Sequence, residues 1–133
     1  MVLLKNSKQL VQEASMKITT LSIDEAKEKL GQNNVQFIDI RDIRELEREG
    51  TIPGALHAPR GMLEFWVDPN SPYFKPVFAG DKQFILYCQS SWRSALATLA
   101  LQNMGLKTVC HFAGGYSNWK QSGGPTITRE KKL

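Results

Sequence analysis

The chain has 133 residues, 41% of them hydrophobic and 23% charged, which suits one globular domain with a core that needs neither a disulfide nor a metal. Seventeen lysines and arginines against 13 acidic residues leave a net charge of +4, too little for a nucleic-acid footprint and better matched to small anionic substrates. No run approaches the ~18 uninterrupted apolar residues of a membrane span, and the opening Met1-Val2-Leu3-Leu4-Lys5-Asn6 lacks a signal-peptide core, so the expectation is a cytoplasmic protein with neither a membrane nor a nucleic-acid partner.

Taken in chain order, Leu3, Leu4, Leu10, Val11 and Ala14 put one apolar stripe on a helix over residues 2–15, which makes residues 1–16 an N-terminal helical extension. Residues 17–21 read as a short strand. Ser22 with Glu25 forms a capping box, and the helix it opens runs to Leu30 and stops at Gly31. Residues 35–40 read as a buried strand, 41–48 as a charged surface helix ending at Gly50, and Pro53-Gly54 as a turn. A short strand over 55–58 and a short helix over 62–66 follow. Residues 68–80 carry Pro69, Pro72 and Pro76 and read as irregular, yet Tyr73, Phe74, Val77 and Phe78 make them a packed cover. The clearest strand, 83–87, runs straight into Cys88. A helix over 93–104 ends at Gly105, a strand covers 108–112, and Gly114-Gly115 opens a last helix through Trp119. Gly123-Gly124-Pro125 closes the domain assigned to residues 17–125. Residues 126–133, with Arg129, Glu130, Lys131 and Lys132, read as a solvated polar tail.

Strand and helix alternate almost throughout. The fold class is therefore α/β: a doubly wound, mostly parallel sheet of about five strands with helices on both faces. Such sheets bind ligands beyond the carboxyl ends of their strands, where the strand order switches direction, and Cys88 stands at such an end.

The segment Cys88-Gln89-Ser90-Ser91-Trp92-Arg93-Ser94 joins a buried strand to a helix expected five or six residues on. A tight loop there aims several backbone N–H groups at one point. The unpaired N–H groups and positive dipole end of the helix add to them. The result is an anion-binding bowl around a sulfur, with Arg93 adding fixed charge at the rim, and that field favours a thiolate.

At these residues the sequence resembles the rhodanese-like domains, over about Thr20 to Pro125. Asp39-Ile40-Arg41 resembles that family's Asp-x-Arg, and Gly50-Thr51-Ile52-Pro53-Gly54-Ala55 its Ile-Pro-Gly-Ala turn. Tyr87-Cys88 with Arg93-Ser94 resembles its active-site loop, and Gly114-Gly115-Tyr116-Ser117-Asn118-Trp119 its closing Gly-Gly-x-x-x-Trp. Each motif is weak alone, and four in order are specific. The resemblance implies transfer of sulfane sulfur, with Cys88 as nucleophile and Gln89, Ser90, Ser91, Trp92 and Arg93 cradling a persulfide. It implies a small anionic donor such as thiosulfate, a thiol or protein acceptor, and no cofactor or metal. Related phosphatases have one residue more between cysteine and arginine. The four here, Gln89, Ser90, Ser91 and Trp92, make a tighter ring that suits a single sulfur atom. A non-enzymatic sulfur carrier or signalling module is the alternative of another class. Many family members have glycine where Ser91 stands. Serine at positive φ costs roughly 1 kcal/mol or more, so the loop either avoids that conformation or carries strain.

Arg41 and Arg60 both follow strands and are candidates for holding an anionic donor. For Arg41 an ion pair with Asp39 or Glu45 is the competing role. Trp92 either lies outward and shapes acceptor access or packs beneath the helix. Cys110, within a strand, is expected as a packed core thiol rather than a resolving partner of Cys88. His57 and His111 lack zinc-site spacing with either cysteine and read as ordinary strand residues. Oligomeric state, donor and acceptor are not specified by these residues.

Overall fold

The computed structural model describes residues 1–131. Three of its helices start where the sequence supplies a side chain to accept a free backbone N–H. Asn6, Ser22 and Asp42 each form a capping box, with Gln9, Glu25 and Glu45 respectively. They open α1 (Ser7–Lys17), α2 (Ile23–Lys29) and α3 (Ile43–Glu49). Three further helices follow, α4 (Leu63–Val67), α5 (Trp92–Asn103) and α6 (Gly115–Gln121), with 3-10 turns at Arg60–Met62 and Pro76–Ala79. The strands are β1 (Thr20–Leu21), β2 (Val35–Asp39), β3 (Leu56–His57), β4 (Gln83–Tyr87) and β5 (Val109–Phe112).

Among the described residues all five strands are parallel, in the order β1-β5-β4-β2-β3. The central pair aligns Val35 with Gln83 through to Asp39 with Tyr87. From β2 the chain moves outward to β3, and from β4 it moves the other way to β5. The switch point therefore lies between the ends of β2 and β4, where Arg41 and Cys88 emerge. Side chains alternate along β4. Phe84, Leu86 and Cys88 join Ile38, Leu101 and Val109 on one face, while Ile85 and Tyr87 join Phe37, Phe112, Tyr116 and Trp119 on the other. That alternation aims Cys88 at α5. The helix α1 docks on α5 through buried Ala14 and a 2.8 Å bond from Gln102 Nε2 to the Lys17 carbonyl. Residues 68–80 do pack down, with Phe78 buried 5.2 Å from the Phe84 ring. Among the described residues no helix is long and apolar enough to cross a membrane.

Several expected boundaries move for local reasons. Asn6 takes the cap of α1, so the helix begins at Ser7 and leaves Val2 and Leu4 exposed. Lys17 belongs to that helix, which shortens the first strand to Thr20–Leu21. The fold also does not close at Pro125. The Trp119 indole N–H donates to the Pro125 carbonyl at 2.8 Å, turning the chain back. Ile127 then pairs antiparallel with Thr51 through two 2.9 Å backbone bonds. Residues 132 and 133 of the expected tail lie outside the described residues.

The start of α6 presses on the Cys88 loop. Tyr116 N–H donates to the Cys88 carbonyl at 2.8 Å and Ser117 N–H to the Gln89 carbonyl at 3.1 Å. Gly115 has φ +61, and a Cβ there would stand 2.6 Å from the Cys88 carbonyl oxygen and 2.7 Å from the Gln89 carbonyl carbon. Those neighbours are main chain and cannot swing aside. Gly115→Ala is therefore expected to cost about 2 kcal/mol or more, read as a lower urea midpoint, and to slow alkylation of Cys88.

Candidate active site

Cys88 directly follows β4 and lies at the head of α5, which begins at Trp92, one residue earlier than the sequence pattern placed it. Its sulfur accepts the Ser91 N–H at 3.1 Å and the Ser94 N–H at 3.3 Å. Ser91 occupies the N-cap position but makes no side-chain cap bond. The sulfur takes that role for the third helical residue, Ser94. The loop carbonyls of Cys88 and Gln89 face α6 instead, so amides converge on the sulfur and carbonyls turn away. Cys88 is 1% exposed, whereas Ser90, Trp92 and Arg93 are exposed, so the solvent boundary runs through the loop. Ser91 has φ 115 and ψ −13, so the loop adopts the left-handed turn at the position where glycine is common. It carries the strain that a Cβ brings there.

Arg93 forms a two-pronged pair with Glu45, both bonds 2.9 Å. Glu45 also accepts the Asp42 N–H at 2.9 Å, completing the cap of α3. The pair with Arg93 holds the Glu45 carboxyl below its usual range, against the opposing effect of its partial burial. Trp92 is 49% exposed, so its indole does not lie packed beneath the helix.

Arg41 makes the ion pair with Asp39 that is its competing role. It is fully buried and spends its donors internally. Its Nε and Nη2 bind Asp39 at 3.0 and 2.8 Å, and Nη2 also reaches the Gly50 carbonyl at 2.8 Å. Its Nη1 binds Gln89 Oε1 at 2.9 Å, and the guanidinium lies 4.1 Å over the Tyr116 ring. Burial works against its charge, but the Asp39 carboxylate outweighs that and raises its pKa. Of the two carboxylates the sequence offered, Asp39 takes Arg41 and Glu45 takes Arg93. Gln89, gripped by Arg41 and donating to Ser117 Oγ at 3.0 Å, is a strut of the loop rather than a rim group. Arg60 pairs with Glu64 at 2.8 Å, one helical turn away, which occupies the group proposed for the donor. Cys110 is a buried thiol pushed up to about 11 by burial, as expected of a core position.

The residues that sequence reasoning did not bring to the site are Glu45 as partner of Arg93, and His111. His111 is 2% exposed on β5. Its Nδ1 lies 2.8 Å from Ser94 Oγ and its Nε2 3.0 Å from Thr20 Oγ1. Ser94 Oγ in turn lies 3.6 Å from the Cys88 sulfur. His57, by contrast, bonds the Arg41 carbonyl at 2.7 Å.

A cysteine at the carboxyl end of a central parallel strand, capping the helix that follows, defines the class of cysteine-loop α/β domains. The chain belongs to the rhodanese-like domain family, whose model matches residues 22–122. It is 28% identical over 106 residues to the human thiosulfate:glutathione sulfurtransferase, a match covering 75% of this chain and 91% of that protein. Among solved structures it is similar to a Rhodopseudomonas palustris protein of unknown function described as a possible tyrosine phosphatase. That pair is 46% identical with a TM-score of 0.92, over 96% of this chain and 98% of the other. It is also similar to the polysulfide-sulfur transferase homodimer of Wolinella succinogenes, at 29% identity and a TM-score of 0.69, over 92% and 87% of the two chains.

Two predictions follow from this geometry. Ser91→Gly relieves the left-handed strain and is expected to stabilise the fold by about 0.5 kcal/mol while leaving Cys88 alkylation intact, as urea unfolding and intact mass will show. Burial alone pushes His111 down from 6.5 to about 4. A histidine depressed in this way is neutral when folded and binds a proton on unfolding. Its contribution to stability is therefore complete above about pH 6.5 and is lost as pH falls toward about 4, at about 1.4 kcal/mol per unit. His111→Asn, which does not titrate, is expected to flatten the pH dependence of urea unfolding over that window by about this amount.

Proposed function

We propose that this protein is a sulfurtransferase that carries sulfane sulfur as a persulfide on Cys88. The observation that carries the reading is the sulfur's position at the head of α5, where two main-chain N–H groups point at it within 3.3 Å. In the first step the Cys88 thiolate attacks the outer sulfur of a donor such as thiosulfate. A new S–S bond forms at Cys88, the donor's S–S bond breaks, and its electron pair leaves on sulfite. In the second step an acceptor thiolate attacks the outer persulfide sulfur, and the electron pair returns to Cys88 as thiolate. This is covalent catalysis that divides one transfer into two. The loop amides stabilise negative charge on both sulfurs in turn. Ser90, Ser91, Trp92 and Arg93 surround the outer sulfur, Gln89 braces their loop from behind, and half-exposed Trp92 borders the approach of the acceptor. Arg41 acts at one remove, by fixing Gln89.

A second reading is a phosphatase, prompted by the description of the Rhodopseudomonas palustris neighbour as a possible tyrosine phosphatase. The four-residue spacing from Cys88 to Arg93 and the clamp of Arg93 by Glu45 weigh against it, since a phosphoryl group needs a wider ring and a free guanidinium. A persulfide that forms but is never passed on would instead favour a sulfur carrier.

Intact mass after incubation with thiosulfate separates these. The expected result is a gain of one sulfur atom, absent in Cys88→Ala and removed again by a small thiol. An unchanged mass together with Cys88-dependent hydrolysis of an aryl phosphate would overturn the sulfurtransferase reading.

A further inference from the structure

Behind Cys88 three polar side chains from three different elements are linked in a run. Ser94 comes from α5, His111 from β5 and Thr20 from β1. The run begins 3.6 Å from the sulfur, continues through contacts of 2.8 and 3.0 Å, and ends at Thr20 on the surface. Ser94 and His111 are 0% and 2% exposed, so neither hydroxyl nor ring has water as an alternative partner. We propose that Thr20 and His111 are positioning residues that hold the Ser94 hydroxyl so that its proton is offered to the Cys88 sulfur whenever that sulfur is anionic. The inference rests on the assignment of Cys88 as the nucleophile.

The number of protons available fixes the direction of these bonds. A neutral imidazole has one N–H. If it sits on Nε2, it points at Thr20, and the bare Nδ1 draws the only Ser94 hydroxyl proton away from the sulfur. If it sits on Nδ1, it donates to Ser94 Oγ, and the bare Nε2 accepts the Thr20 hydroxyl. Ser94 then keeps its proton for the Ser91 carbonyl at 3.1 Å or for the sulfur. A thiolate or persulfide, being charged, wins that competition against a neutral carbonyl. It would then have three donors: the Ser91 and Ser94 N–H groups and the Ser94 O–H. Thr20 supports the productive tautomer because its hydroxyl, which faces Nε2, supplies the proton that a bare Nε2 accepts. His111 does not act as the base for the cysteine proton. With burial holding it near 4, it is neutral across the working range and serves as a fixed dipole. The charges near the sulfur, Arg93 and its partner Glu45, belong to the loop and to α3, outside this run.

The test is the rate at which iodoacetamide alkylates Cys88 at neutral pH, followed by mass of the Cys88 peptide so that Cys110 does not contribute. Thr20→Val keeps the shape of an exposed residue and removes only the hydroxyl. It is expected to slow alkylation about fivefold, and Thr20→Ser is expected to restore it. In a Ser94→Ala background, Thr20→Val is expected to change nothing further, because its effect passes through a hydroxyl no longer present. A Thr20→Val rate equal to wild type, or an equal slowing with and without the Ser94 hydroxyl, would overturn the proposal. Alkylation uses no sulfur donor, so the two readings fail separately. Wild type that takes no sulfur from thiosulfate but still responds to Thr20→Val sinks the sulfurtransferase reading alone. Normal sulfur loading with no response to Thr20→Val sinks the positioning run alone.

Discussion

The helix α5 is capped by a sulfur atom instead of an oxygen. An α-helix leaves its first N–H groups without partners, and a side-chain oxygen just before the helix normally accepts one. At α5 that oxygen is replaced by the Cys88 sulfur, which takes the Ser94 N–H while also accepting that of Ser91. Starting the helix and holding the nucleophile are thus one interaction. The helix gains an acceptor, and the sulfur gains the positive end of a helix twelve residues long. The cost falls on Ser91, which must enter the left-handed region to bring the chain round the sulfur. The loop carbonyls are held off by the start of α6, which explains why Gly115 tolerates no side chain.

A second layer supports this one. Arg41 and Asp39 are both fully buried, which is costly unless every polar atom finds a partner. Here the requirement is met across several segments. Asp39 also accepts the Thr51 hydroxyl at 2.9 Å, Thr51 meets the Tyr87 hydroxyl at 2.8 Å, and Tyr87 accepts the Ile52 N–H at 3.1 Å. The network fastens the end of β2, the turn at residues 50–52, the end of β4 and, through Gln89, the loop itself. A buried ion pair adds little net stability against an apolar replacement, but it admits few alternative arrangements. In this protein it sets the spacing between the two strand ends that frame the site.

What could be read from the sequence was local. The Ser22–Glu25 box, the buried run into Cys88 and the glycine-ended helices are all decided within a few residues, and each appears as expected. The alternation of elements was enough for a parallel sheet, and the position of Cys88 at a strand end was enough to mark the site. The onset of α5 lies within one residue of its expected place, but that its cap is the Cys88 sulfur could not be read locally, since the bond to Ser94 N–H exists only once the loop has turned. For Arg41 an ion pair with Asp39 or Glu45 was legible as one of two roles, but nothing in its neighbours tells which carboxylate it will meet or that it will be sealed in. His111 looked ordinary because its partners, Thr20 and Ser94, reach it only once β1 is laid beside β5. Thr20 and His111 are 91 positions apart in the chain.

Glu45 closes two structures with one carboxylate. One of its oxygens caps α3, and both hold Arg93. A chain that exchanged Arg93 for a neutral residue would leave that carboxylate half-shielded without a counter-charge. A chain that exchanged Glu45 would fray a helix and release a cation beside the nucleophile. Neither change is neutral alone, so evolutionary drift at one position is constrained by the other. The two should be inherited as a unit wherever this loop and this helix occur together.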